Sequence, residues 1–88
     1  MGKVAYCECV VAAVILARRK KLQALLRQVR LDAGLTQTEV AARIGQRPSY
    51  VSKYELGEHR LDLPQLEQVC DALGIPLEAF VRRYQDTP

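Results

Sequence analysis

Four internal glycines, Gly34, Gly45, Gly57 and Gly74, constrain this chain most, because each closes a short run of helical periodicity. Glycine adopts the left-handed conformation in which many helices end, and so it punctuates a helical sequence. The helix starts are marked just as clearly. Thr36-Gln37-Thr38-Glu39 spells a capping box, in which the Thr36 hydroxyl accepts from the third helical N–H and Glu39 reaches back. Asp62 and Gln65 spell a second. Pro48 and Pro64 suit first turns, where a missing N–H costs nothing, and Pro76 opens the last segment.

Between these signals the apolar residues recur at helical spacing. Leu22, Leu26, Val29 and Ala33 form one stripe, and Val40, Ala41 and Ile44 a second. Val51 and Tyr54 share a face of the third segment. Leu66, Val69, Cys70 and Leu73 line the fourth, and Leu77, Phe80 and Val81 the fifth. The pattern predicts a compact all-α domain of five helices over residues 20–85, joined by short loops, with residues 86–88 as a tail. A chain of 88 residues holds one such module and has no room for a separate catalytic or ligand-binding domain.

The second and third segments have the form of a helix-turn-helix. Ala41 is small enough to let the two helices cross closely, and Gly45 supplies a turn that a Cβ would strain. The third segment then presents Pro48, Ser49, Ser52 and Lys53 outward, with Arg47 just before them. A strip of cations and hydroxyls suits a major groove, where Arg and Lys donate to guanine O6 and N7 and Ser donates or accepts. Tyr50 either packs its ring on the preceding helix or offers its hydroxyl to a phosphate. The charge distribution agrees with a polyanion on one side: ten Lys/Arg against four Asp/Glu from Arg18 to Arg60, two against five from Leu61 to Pro88. Four Tyr, one Phe and no Trp argue against a stacking platform for single strands.

From Leu22 to Tyr84 the sequence resembles the phage-repressor and Cro-like helix-turn-helix domains, the XRE family of bacterial transcription regulators. Gly34-Leu35-Thr36-Gln37, Val40-Ala41, Gly45, Val51-Ser52, Glu55, Gly57 and Leu73-Gly74 carry the likeness by their joint order and spacing. The resemblance implies the lambda-repressor-like five-helix fold, binding to double-stranded DNA as a homodimer on a pseudo-palindromic operator, and repression or activation of transcription. It further implies that Gln37 and Arg60 contact phosphates, that Arg47, Pro48, Ser49 and Lys53 occupy base-reading positions, and that Arg30 and Glu55 form a structural salt bridge. Pro48 stands where some relatives carry a Gln that reads adenine, and Arg47 where a Ser or Thr would cap the helix. An alternative on the same fold is a protein-interaction module, such as an antitoxin or antirepressor, that uses the acidic C-terminal helices as its face.

No enzyme, cofactor or metal chemistry is expected. His59 stands in a charged loop with no nucleophile at a suggestive spacing, where it reads as a surface residue next to phosphate. Cys7 and Cys9 form a lone C-x-C, two ligands short of a zinc site, and Cys70 falls on an apolar stripe. This cysteine usage fits a reducing cytoplasm. Residues 1–19 form an apolar arm outside the family pattern. The run Val4 to Ala17 spans about 21 Å as a helix, short of a bilayer core of roughly 30 Å, and it contains Glu8. Its Val and Ile residues leave strand and helix both open. An apolar patch of this kind in a soluble domain is an interface, and the arm is a candidate dimerisation element.

Overall fold

The computed structural model describes residues 8–88, with side chains from Val11 onward. Five α-helices follow in order: α1 Glu8–Asp32, α2 Gln37–Arg43, α3 Pro48–Leu56, α4 Leu63–Leu73 and α5 Leu77–Asp86. Both capping boxes are formed. Glu39 N–H donates to Thr36 Oγ1 at 3.1 Å while Thr36 N–H donates to Glu39 Oε1 at 2.9 Å. Asp62 and Gln65 exchange the same pair of bonds, each at 2.9 Å. Each cap satisfies donors that the helix itself leaves orphaned.

Gly45 makes the turn between α2 and α3. Its φ of +69° is left-handed, Gln46 N–H reaches back to Ala41 O at 2.9 Å, and Gly45 N–H to Ala42 O at 3.3 Å. This paired closure brings the chain round sharply enough for α3 to pack on α2. Gly57 ends α3 in the same way, and a Cβ there would strike the Gln23 amide of α1.

Leu25, Leu26, Val29, Val40, Ala41, Ile44, Val51, Tyr54, Val69, Cys70, Ala72, Leu73 and Phe80 make one contiguous core. Val40, Ala41, Val51, Val69 and Cys70 have no exposed surface at all. Burial pushes the Cys70 thiol up to about 11, so it stays protonated and packs as a small hydrophobe. Arg43 Nη1 donates to Ala72 O at 2.8 Å, pinning α2 to the free carbonyls that end α4.

Two sequence expectations change here, and one open alternative is decided. Ala33 is exposed, because α1 ends at Asp32 and the chain turns there, and Leu25, outside the expected stripe, is buried. Val81 is 38% exposed, since α5 turns Phe80 into the core and leaves Val81 at the edge of its apolar face. The arm is helical and not a strand from Glu8 to Ala17, where it runs unbroken into α1. Extending an existing helix needs no new nucleus, and Ala12, Ala13, Leu16 and Ala17 offset the weaker helix preference of the β-branched residues. The part of the arm before Glu8 lies outside the described residues, and so do the side chains of Cys7 and Cys9. Among the described residues no helix is long and apolar enough to cross a membrane.

Phe80 is the largest fully buried side chain and belongs to the last helix, so it reports whether α5 is integral to the domain. Phe80→Ala should cost about 3–5 kcal/mol, most of the stability of a domain this small. Urea denaturation followed by circular dichroism measures the shift, with an unchanged slope expected if only stability has altered.

Candidate nucleic-acid interface

Placement of α3 begins at a buried ion pair. Arg30 Nε donates to Glu55 Oε2 at 2.7 Å and Arg30 Nη2 to Glu55 Oε1 at 3.1 Å, a two-pronged bond between α1 and α3. The side chains are only 9% and 4% exposed. The third arm of the guanidinium, Nη1, donates to Leu35 O at 3.0 Å in the α1–α2 loop. Gln37 Nε2 adds a bond to Glu55 Oε1 at 3.1 Å from the first residue of α2. One carboxylate therefore gathers donors from two other helices. The bond to Glu55 outweighs burial and raises the Arg30 pKa, so the guanidinium remains charged.

On its inner side α3 is fixed by Val51 and Tyr54, both buried. Burial also pushes the Tyr54 phenol well up, so it stays neutral. The outer side carries Arg47, Pro48, Ser49 and Lys53, all exposed, with Tyr50 and Ser52 half-buried. Arg47, Ser49, Tyr50 and Lys53 line one open concavity of about 300 Å³ together with Gln46 and His59. Pro48 and Ser52 lie outside it. Arg60 lines a neighbouring concavity of about 270 Å³, with Arg19 and Gln23 from α1 on its other wall. Gln37 is half-buried and directed at Glu55.

His59 lines both concavities. It is half-buried, not a surface side chain as its charged neighbours suggest. Its ring lies 5.1 Å from that of Tyr50, and Tyr50 in turn meets Tyr54 edge-on at 5.8 Å. Tyr50 thus packs its ring inward along α3 toward Tyr54, and burial raises its pKa, with a smaller push from Asp62. The Nε2 atom of His59 is enclosed and meets no hydrogen-bond partner. Sequence reasoning missed Gln46, Arg19 and Gln23, and the last two join the site only where the α3–α4 loop folds back on α1.

The cations of the outer face are unbridged. Among the described residues no carboxylate comes within salt-bridge reach of Arg47, Lys53 or Arg60. The N-terminus of α3 has no side-chain cap from Arg47, in contrast to α2 and α4. Such a surface can hold a polyanion through phosphate contacts and offers donors to base edges.

Comparison with known proteins gives this arrangement its relatives. The helix-turn-helix family profile matches residues 26–80, from the buried part of α1 to the core residue of α5. An uncharacterised HTH-type transcriptional regulator, y4dJ of Sinorhizobium fredii, is 33% identical over 70 residues, 80% of this chain and 91% of that protein. Among solved structures, an XRE-family like protein from Pseudomonas syringae pv. tomato is 36% identical. It superposes with a TM-score of 0.82 over 90% of this chain and 98% of its own. The controller protein C.Esp1396I, solved as a tetramer with its natural 35 base-pair operator, shares the fold at 22% identity, a TM-score of 0.73 and 78% of this chain against 91% of its own.

Removing Glu55 tests how far α3 depends on the ion pair. Glu55→Ala should cost about 3–5 kcal/mol, because it strands a buried guanidinium. Replacing both partners, Arg30→Met with Glu55→Leu, should recover much of that loss, since an apolar pair of similar volume leaves no buried charge. Chemical denaturation of the three proteins gives the comparison.

Proposed function

Because this chain belongs to the XRE family of helix-turn-helix transcriptional regulators, we propose that it binds a pseudo-palindromic operator as a homodimer and acts there as a repressor. Helix α3 enters the major groove. The observation that carries this reading is the unpaired cationic face of α3, Arg47 and Lys53 beside Ser49 on one open concavity, with Arg60 beyond it. A surface used only for docking a protein has little need of three free cations in that place. A controller protein that shares this fold was solved on its operator, which supports DNA as the partner.

In this reading Lys53 and Arg47 donate to base edges, with Ser49 and Ser52 as shorter donors or acceptors. Pro48 supplies shape and fixes the first turn. Gln37 keeps one N–H on Glu55 and turns the other toward a phosphate, so the ion-pair network positions it. Arg60 meets the backbone at the edge of the groove. Tyr50 supports this face through its ring, not through a phosphate contact. Half-sites fall about one helical turn apart, roughly 34–36 Å.

Selection from a random duplex pool with the purified protein should return a two-fold symmetric site. Affinity for that site should fall with salt at about −0.9 in log–log slope per phosphate neutralised. Equal affinity for selected and random duplexes at physiological salt would refute sequence-specific binding and favour a protein-docking role. Lys53→Ala should relax preference at one base pair of the half-site, costing about 1–3 kcal/mol on the selected sequence. Arg60→Ala should weaken all sequences alike and flatten the salt slope by about one phosphate. Binding isotherms on selected and scrambled duplexes at several salt concentrations separate the two effects.

A further inference from the structure

Helix α1 is longer than the domain it serves. Its 25 residues extend about 37 Å, whereas the buried part begins only at Leu22 and Leu25. From Val11 to Lys20 every side chain is exposed. Contact with α5 reaches as far as Arg18, whose carbonyl accepts from the Tyr84 hydroxyl at 3.4 Å, and Lys21, whose ammonium lies 4.2 Å from the Tyr84 ring centre. Beyond that point Val11, Val14 and Ile15 stand 49, 44 and 40% exposed.

Val11, Val14 and Ile15 share one side of the helix, while Leu16, 53% exposed, lies off it. At about 100° per residue, Val11, Val14, Ile15 and Arg18 fall on the same stripe, about 120° wide, as the core residues Leu22, Leu25, Leu26 and Val29. The core face of α1 therefore continues for two turns past the edge of its own domain, and none of the described residues covers it.

We propose that two copies of this chain pair through the N-terminal half of α1, with Val11, Val14 and Ile15 of each helix packed against the same residues of the other. The proposal rests on the homodimer reading above and names the surface that reading lacks. A second copy fits because a two-fold axis makes one patch serve both partners, and because Ala12 and Ala17 beside the stripe allow close helix approach. Charge sets the direction. The block Arg18-Arg19-Lys20-Lys21 lies about five residues from a crossing at Val14 and Ile15, so an antiparallel pair holds the two blocks about 15 Å apart along the axis. That exceeds the screening length of roughly 8–10 Å, whereas a parallel pair would stack the cations side by side. The patch is smaller than the 20–30 residues a side of a standard stable interface, so the dimer is weak and concentration-dependent.

Sedimentation velocity of the full chain over a range of concentrations tests this, alone and on the selected duplex, with Val14→Glu and the double variant Val11→Glu/Ile15→Glu alongside. Both variants lie outside the core, and an unchanged thermal melt confirms that each is folded. The wild type should shift from monomer to dimer with concentration. Each variant should dimerise at least about tenfold more weakly, since a carboxylate in an apolar seam is costly to bury. Variants that dimerise like the wild type would overturn this surface and leave the homodimer reading standing. A wild type that is monomeric in solution and binds one chain per selected duplex would overturn both. If it stays monomeric but sediments with phosphatidylglycerol vesicles, the stripe is a membrane contact and the proposal fails.

Discussion

The position of α3 depends on one carboxylate. Glu55 holds Arg30 of α1 by two bonds and Gln37 of α2 by a third, while Arg30 also holds the loop carbonyl of Leu35. Taking two charges out of water is expensive, and a well-packed apolar pair often does as well for stability alone. What the pair supplies is direction. Apolar contacts of Val51 and Tyr54 hold α3 against the core but tolerate small rotations, whereas a bidentate guanidinium–carboxylate bond has a narrow geometry. Rotation of a nine-residue helix by one residue's angle, about 100°, would replace its outer face with another. The ion pair makes that slip costly, because a turned α3 leaves a buried guanidinium without its partner.

Much of this was legible in the sequence for physical reasons that belong to single residues. Thr36 with Glu39 and Asp62 with Gln65 act within four residues, so the capping boxes declare themselves without knowledge of the fold. Gly34, Gly45, Gly57 and Gly74 all take positive φ, a constraint that their places at the ends of periodic runs expose. The burial of Val40, Ala41, Val51 and Val69 follows from helical period. The details that escaped depend on distant contacts. The Gln37–Glu55 bond joins residues eighteen apart, and Arg43 reaches a carbonyl at Ala72. His59 looks like a loop residue until the α3–α4 connection folds it against Tyr50. The arm offered a strand as well as a helix, because β-branched residues accept both states and only continuity with α1 decides between them.

The cations of this chain divide into paired and unpaired. Arg30 is buried and fully engaged, Arg43 caps a helix end, and Arg83 meets Asp32 at 3.3 Å on the surface. Arg47, Lys53 and Arg60 have no such partner among the described residues. An exposed cation gains little from a surface ion pair, typically no more than about 1 kcal/mol, so leaving it unpaired costs the fold almost nothing. For a surface that meets phosphate the same choice has a large effect. A cation already bridged to a carboxylate must break that bond and bring the repelling carboxylate up to the DNA, while a free one releases condensed counterions on contact. The acidic residues are instead concentrated from Leu61 onward, on the loop and helices that follow α3. Within α3 the one carboxylate, Glu55, is turned inward to hold the outer face in place, and the cations of that face stay unbridged among the described residues.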